Sequence, residues 1–185
     1  YNTLSTAKQA LLQQRLRGKP TMSAEPPSIP RRSERHLAPL SFGQSRLWFL
    51  DQWEPGSALY SIPRAFALSG ALDITALERA LTLLAERHES LRTSFRLSDG
   101  APVQVIGAAG HLPVQLIDLQ HLPQAERQAA AHLLAADIAR QPFDLETGPL
   151  VRATLLRVGQ QEHIFLLEMH HIISDGWSLG VFVRE

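Results

Sequence analysis

The sequence predicts an α/β fold with two layers, one of helices and one of strands. A chain of 185 residues, 44% hydrophobic and 6% aromatic, is long and apolar enough to bury one substantial core. Segments with the 3.6-residue period of an amphipathic helix alternate with shorter segments that show strand alternation or an unbroken apolar run. Turn residues separate the two kinds of segment. We therefore expect one main globular domain.

Charge and cysteine content exclude several classes of function. Eighteen basic residues balance eighteen acidic ones, so no net field favours nucleic acid or an anionic membrane as a partner. There are no cysteines, which excludes disulfides, zinc-thiolate sites and a thiol nucleophile. No signal pattern and no apolar run of roughly 20 residues is present. We expect a soluble, cytoplasmic protein whose chemistry rests on oxygen and imidazole groups.

The chain divides into three parts. Residues 1–18 are predicted to contain a short amphipathic helix over 4–17, which Ser5 caps and Gly18 ends. Residues 19–38 are rich in proline, serine and charge and are predicted to be a linker. Residues 39–185 are the predicted folded domain.

The domain's first half is predicted to be helix, strand, helix and hairpin. Ser41 and Asp73 are the expected N-caps of the two helices, the first ending at Pro55-Gly56. The expected strands are 62–69, 91–97 and 103–106. The residues expected to face the core are Phe42, Leu47, Trp48 and Leu50 in the first helix, Leu77, Leu81, Leu84 and His88 in the second, and Leu91, Thr93, Phe95 and Leu97 in the hairpin.

The second half predicts a strand, a helix, two strands and a last helix. The strands are 114–119, 150–158 and 163–169, and the unbroken apolar run at 164–167 indicates a strand covered on both faces. The first helix covers 124–140 and the last begins at Trp177 and runs to the end of the sequence. The expected inward residues are Ala130, Leu133, Leu134 and Ile138 in the former, and Leu179, Val181, Phe182 and Val183 in the latter.

Residues 169–178, Met-His-His-Ile-Ile-Ser-Asp-Gly-Trp-Ser, concentrate polar groups between a buried strand and a helix start. An imidazole can take a proton from an attacking amine or alcohol near neutral pH. Neighbouring residues at a strand end point to opposite faces, so His170 and His171 should differ, one active and one structural. Asp175 is expected to pair with an arginine and fix the loop. Gly176 permits a tight loop or close approach of its N–H to a ligand oxygen.

Other interpretations of these residues stay open on local chemistry alone. The two histidines can equally be hydrogen-bonded core residues. A metal site of His170, His171 and Asp175 is not adopted, because adjacent histidines diverge and no third histidine lies at helical spacing. His88, which lies beside Arg87, Glu89 and Arg92, is expected to belong to a polar cluster that supports the fold.

Five segments of the sequence together carry a resemblance to a known family. They are Ser-Phe-Gly-Gln-Ser-Arg-Leu-Trp-Phe-Leu at 41–50, Arg-His-Glu-Ser-Leu-Arg-Thr-Ser-Phe at 87–95, Pro-Phe-Asp-Leu at 142–145, Gly-Pro-Leu-Val-Arg-Ala at 148–153, and 169–178. The last segment contains a His-His-x-x-x-Asp-Gly motif at 170–176. In this order the segments make the chain resemble the condensation domains of nonribosomal peptide synthetases. The resemblance covers 39–185 without a break.

The resemblance implies a chloramphenicol-acetyltransferase-like fold in which two subdomains form a V with the histidine motif in a tunnel between them. This sequence supplies the first, N-terminal subdomain. By the same resemblance His171 is the catalytic or substrate-positioning residue. His170 and Asp175 keep the loop in shape, and Asp175 pairs with Arg87 or, as the second choice, Arg92.

The resemblance also implies an acyltransferase that forms an amide bond in antibiotic or other secondary-metabolite biosynthesis. Donor and acceptor are held as thioesters on phosphopantetheine arms of two peptidyl carrier proteins, and the domain itself needs no metal, nucleotide or other cofactor. The motif wording is most similar to the subtype that joins an L-donor to an L-acceptor. Further expected partners are the second subdomain and neighbouring synthetase domains, which residues 1–18 can contact.

Two other functions are weighed against condensation. One is a related acyltransferase that uses the same motif with acyl-coenzyme A. The other is a carrier-binding or docking scaffold without activity in isolation. Dependence on a carrier protein distinguishes the first alternative from condensation, and turnover distinguishes the second.

Overall fold

The computed structural model describes residue 34 and residues 36–185, which belong to a compact unit that starts at Glu34. The predicted helix over 4–17 and most of the predicted linker lie outside the described residues. The elements in chain order are β1 (Leu37–Pro39), α1 (Phe42–Trp53), β2 (Ser61–Ser69), α2 (Ile74–Arg87), a 3-10 turn (Glu89–Arg92), β3 (Thr93–Ser98), β4 (Ala101–Ile106), β5 (Val114–Asp118), α3 (Gln124–Ala139), β6 (Val151–Arg157), β7 (Glu162–His170) and α4 (Gly176–Arg184).

The strands form two sheets. One is antiparallel, in the order β1-β4-β3, and the other has the order β2-β7-β6-β5. In the larger sheet only β5 and β6 run parallel, and β7 pairs along its whole length with β2 and β6. Since β7 is central, its end at His170 is held by hydrogen bonds from two neighbouring strands.

Hydrophobic clusters cover both faces of the larger sheet. Leu155 and Leu167 pack in one cluster with residues of α2, while the adjacent Leu156 and Leu166 pack in a second cluster with residues of α3. Because successive strand residues face opposite sides, the two helices lie on opposite faces. The α/β class is confirmed, and so is the prediction that the run at 164–167 is covered on both faces. The predicted two layers are wrong for this sheet, because it lies between α2 on one face and α3 on the other.

Capping side chains fix where three helices begin. Ser41 accepts a hydrogen bond from the Gln44 N–H while the Gln44 side chain accepts from the Ser41 N–H, which is a capping box at α1. Asp73 accepts from the Ala76 N–H at α2. Asp175 accepts from the Ser178 N–H at α4. The two caps predicted in the first half of the domain are confirmed.

Several predicted core positions are wrong. Phe42 is fully exposed at the first residue of α1, and this helix has no fully buried residue. Leu133 is 70% exposed because it lies about 200° around α3 from the buried Ala131. Leu97 is exposed because it lies near the hairpin tip, and Val183 is exposed in the last turn of α4.

Element boundaries also differ from prediction. Leu91 and Arg92 lie in the 3-10 turn, so β3 begins at Thr93 and not at residue 91. Leu37 and Ala38 pair with β4, which places the end of the predicted linker inside the folded unit. Within the described residues no helix is both long and apolar enough to cross a membrane.

Candidate active site

The histidine motif lies where β7 ends, and backbone hydrogen bonds fix both histidines. The N–H of His170 donates to the Leu150 carbonyl at 3.0 Å, and the N–H of His171 donates to the Tyr60 carbonyl at 2.8 Å. The chain then turns, and the Ile173 N–H donates back to the His170 carbonyl at 3.1 Å. The backbone that carries the two imidazole rings is therefore held in place by hydrogen bonds on both sides.

His170 is buried and neutral. Its side chain is only 3% exposed, and desolvation together with the neighbouring charge of His171 lowers its pKa from 6.5 to about 4. Nδ1 accepts the Ile172 N–H at 3.1 Å, so in the neutral ring the proton is on Nε2. Phe143 contacts the ring edge to face, with the ring centroids 6.2 Å apart. These contacts assign His170 to the interior, as predicted for one of the two histidines.

His171 has the opposite environment. It is exposed, and its Nδ1 lies 2.7 Å from the Ser174 carbonyl oxygen. A carbonyl oxygen only accepts, so Nδ1 carries the proton in this contact and the neutral ring has its lone pair on Nε2. His171 lines an open cleft of about 520 Å³, together with residues at the start of α1 and in the motif loop. This ring can accept a proton or a hydrogen bond from a group in the cleft.

Gln44 ties the motif loop to the rest of the domain. Its Nε2 lies 3.3 Å from the Ile172 carbonyl and 3.0 Å from Oε1 of Gln104, whose own amide donates to the Pro39 carbonyl at 2.8 Å. The loop is thus linked to α1, β4 and β1. Gln44 was not among the predicted site residues, although a glutamine three residues after an N-cap serine is the signature of a capping box.

Asp175 caps α4 and does not form the predicted ion pair. Its carboxylate accepts from the backbone N–H and hydroxyl of Ser178 at 2.8 and 2.9 Å, and these hydrogen bonds lower its pKa. Arg87 instead lies 3.5 Å from Glu185, and Arg92 binds Glu89 and the Gly107 carbonyl. Neither predicted arginine pairs with Asp175 among the described residues, because the carboxylate is turned back into its own helix start.

The two remaining predicted groups lie beside the motif. His88 binds Oε2 of Glu185 at 2.7 Å, and Arg87 approaches the same oxygen, so the C-terminal ends of α2 and α4 share a polar cluster. This contact supports the structural interpretation of His88. Gly176 opens α4, and a Cβ built on it would meet no described atom within 4 Å. Close approach of its N–H to a ligand therefore stays a prediction.

The sequence matches the condensation domain family over residues 34–185. The chain belongs to this family. The condensation domain is 49% identical over 182 residues to a linear gramicidin synthase chain of Brevibacillus parabrevis, and the match covers 98% of this chain and 2% of that protein. It is 40% identical over 183 residues to phosphinothricin tripeptide synthetase PhsC of Streptomyces viridochromogenes, with 98% of the chain and 17% of the relative covered.

Solved structures agree with the condensation domain fold. A variant of the starter condensation domain of rhizomide synthetase RzmA, crystallised in complex with C8-CoA, matches with a TM-score of 0.72 and 29% identity. The match covers 80% of this chain and 34% of that one. The chain therefore spans about a third of the solved domain and a far smaller share of the synthetases. The predicted chloramphenicol-acetyltransferase-like fold and family are confirmed.

Proposed function

We propose that this condensation domain forms an amide bond between a donor acyl or peptidyl thioester and the amine of an acceptor aminoacyl thioester. The new bond joins the acceptor nitrogen to the donor carbonyl carbon, and the donor's carbon–sulfur bond breaks. The observation that carries the proposal is the geometry of His171, which lines a cleft, has Nδ1 bound to the Ser174 carbonyl and has no hydrogen bond at Nε2 from any described residue.

His171 has two ways to serve this reaction, and both use Nε2. As a general base it takes the proton that the amine loses when it attacks the thioester, and it then returns this proton to the departing sulfur, which leaves as the thiol. As a positioning residue it accepts a hydrogen bond from the amine and aligns the lone pair with the carbonyl carbon. The fixed Nδ1 contact supports either role, because it sets the tautomer and limits rotation of the ring.

The rest of the motif supports His171. His170 accepts the Ile172 N–H from inside the sheet, and Asp175 caps α4, so the loop between them has both ends fixed. The Gly176 N–H is proposed to approach the substrate oxygen. Arg87 and Arg92 have no hydrogen bond or ion pair with the motif among the described residues, so we propose that they stabilise the C-terminal end of α2 and the turn that follows.

Donor and acceptor reach the cleft on phosphopantetheine arms of two carrier proteins, and the second condensation subdomain supplies the rest of the tunnel wall. Residues 1–18 are proposed to link or dock neighbouring synthetase domains. The similarity to synthetases of linear gramicidin and phosphinothricin tripeptide supports this arrangement. We also propose that the protein acts in the cytoplasm. We further propose that it joins an L-configured donor to an L-configured acceptor, because the residues of its motifs are most similar to that subtype.

A soluble acyl-coenzyme A donor is the second candidate. The observation that favours it is the similarity to the RzmA starter domain, whose structure contains C8-CoA. In that case the acceptor would still arrive on a carrier, while the donor would not. The two candidates therefore differ in the donor's attachment and share the proposed role of His171.

The test uses a synthetase that carries this domain, supplied with an acceptor-loaded carrier. The same acyl group is offered either on a donor carrier or on coenzyme A. Where the acyl group is an amino acid, its L and D forms are both tested. Mass spectrometry follows the product on the acceptor carrier. Product from the L-donor carrier alone supports the proposal. Product from acyl-coenzyme A alone supports the second candidate. No product from any donor contradicts both and favours a docking scaffold.

A further inference from the structure

An ion pair between the half-buried Arg152 and the buried Glu168 lies beside His170 on the α3 face of the sheet. Arg152 and Glu168 are register partners on β6 and β7, and Glu168 is two residues before His170 on the same face. Nε of Arg152 is 3.5 Å from Oε2 of Glu168, whose residue is 2% exposed. Neither carboxylate oxygen has a hydrogen-bond partner among the described residues. The charge of Arg152 is therefore the main interaction that offsets the desolvation cost of burying the Glu168 carboxylate.

Other contacts hold the Arg152 guanidinium in one place. It donates to the carbonyl and to the side-chain oxygen of Gln141, at 2.6 and 3.2 Å. Its Cζ lies 4.0 Å from the centroid of the Phe143 ring, a cation–π contact. Phe143 is itself buried and presses edge to face against His170 at 82°. A continuous set of contacts thus runs from the buried ion pair through Phe143 to the histidine motif.

Stability alone accounts poorly for this arrangement. A buried ion pair costs desolvation that its attraction often fails to recover, and well-packed apolar residues of similar volume are commonly as stable or more so. A pair with incomplete hydrogen bonding lies at the unfavourable end of that range. Glu168 is two residues before His170, which suggests another role for the Arg152–Glu168 pair. That role is to hold Phe143 against the His170 ring.

We propose that Arg152 is a positioning residue for the histidine motif, acting through Phe143 on His170 with Glu168 as its buried counter-charge. Phe143 and Tyr60 both contact the His170 ring, and the Tyr60 carbonyl also binds the His171 N–H. We therefore expect a shift of Phe143 to displace the His170 ring and, through the adjacent backbone, His171. This inference rests on the proposed function, since it concerns the residue that serves the reaction.

The same strand offers a matched control. Arg157 also lies on β6 and is half-buried, with Nη1 3.5 Å from Oδ2 of Asp118, but it is at the other end of the strand from the motif. Arg152→Lys keeps the charge and removes the planar group over Phe143. Arg157→Lys makes the same change at a position that no aromatic ring of the described residues connects to His170.

The experiment measures kcat and KM for both loaded carriers in the synthetase with Arg152→Lys, Phe143→Leu or Arg157→Lys. We expect kcat to fall roughly tenfold to a hundredfold in the first two variants with little change in KM, as for a misplaced catalytic group. Arg157→Lys should leave kcat unchanged. If Arg152→Lys does not fold, as judged by its thermal transition, Phe143→Leu decides the question.

A second readout separates this inference from the proposed function. Diethyl pyrocarbonate modifies exposed neutral imidazole, and mass spectrometry gives the rate of modification at His171 as a function of pH. The pH profile should shift in the first two variants and match wild type in Arg157→Lys. Unchanged kcat and unchanged profile in the first two variants would overturn the inference. If wild type forms no amide, the proposed function fails and the profile alone decides the positioning role.

Discussion

Acid should destabilise the domain through His170. The folded state keeps this imidazole neutral down to about pH 4, while the unfolded chain protonates it near pH 6.5. Below pH 6.5 the unfolded state therefore binds a proton that the folded state does not, and stability falls as the pH falls from about 6.5 to about 4. The separation of the two pKa values corresponds to about 3 kcal/mol of unfolding free energy, of which about 2 kcal/mol is lost between pH 7 and pH 5.

His170→Asn isolates this effect, because asparagine does not titrate and its side-chain oxygen can accept the Ile172 N–H. Urea unfolding of the chain, followed by the fluorescence of its three tryptophans, gives the free energy at pH 7, 6 and 5. Wild type should lose about 2 kcal/mol more than the variant over this range. His163, whose pKa burial also lowers, contributes equally to both proteins.

The comparison uses the slope with pH and not the absolute stability, since the smaller asparagine side chain leaves space in the core. Between pH 7 and pH 9 the unfolding free energies of the two proteins should change with pH by the same amount, which serves as the internal control. Parallel curves between pH 7 and pH 5 as well would refute the reasoning, because they would mean that His170 is protonated as easily in the folded state as in the unfolded chain.

Three further predictions concern single side chains. Asp175→Asn should keep the thermal transition of wild type and Asp175→Ala should lower it, because asparagine caps a helix and alanine does not; equal losses would instead support an ion pair. Leu155→Ala should cost about 2–5 kcal/mol in urea unfolding and Leu133→Ala less than about 0.5 kcal/mol, and similar costs would contradict the assigned faces of β6 and α3. Gln44→Ala should lower both the thermal transition and kcat, because it removes the link between α1 and the motif loop. Gln52→Ala, which removes an exposed hydrogen bond to Asp51, should change neither.

Local sequence rules predicted the parts of the site that depend on neighbouring residues. Strand alternation separated His170 from His171, and the structure buries the first and exposes the second. Side-chain capping rules placed the starts of α1 and α2 at Ser41 and Asp73. These features depend only on residues that are close together in the chain, so they can be predicted from the sequence.

Contacts between distant residues were beyond such rules. Gln44 reaches partners 60 and 128 residues away, and the approach of Arg152 to Glu168 depends on the register of β6 and β7. The resemblance named Asp175 and its two candidate arginines without the geometry of the loop. In the structure the Asp175 carboxylate instead accepts hydrogen bonds from the backbone N–H and the hydroxyl of Ser178 at the start of α4.

Errors in the predicted core have a related cause. A period of 3.6 residues finds an apolar face but does not fix which of the neighbouring positions meet the sheet. In α3 the inward positions are Ala131, Leu134, Ala135 and Ile138, so Leu133 lies outside that face. In α1 the apolar residues continue around the helix, and Phe42 and Trp53 are left exposed in the described part of the chain.

The central claim is that Nε2 of His171 serves amide bond formation while Nδ1 stays bound to Ser174. Its most direct test is a single-turnover measurement of amide formation on the acceptor carrier by wild type, His171→Ala and, as a control, His132→Ala on the exposed side of α3. We predict a loss of about 10²- to 10⁴-fold for His171→Ala, with an unchanged thermal transition, and no loss for the control. Wild-type rates in a folded His171→Ala protein would contradict the account.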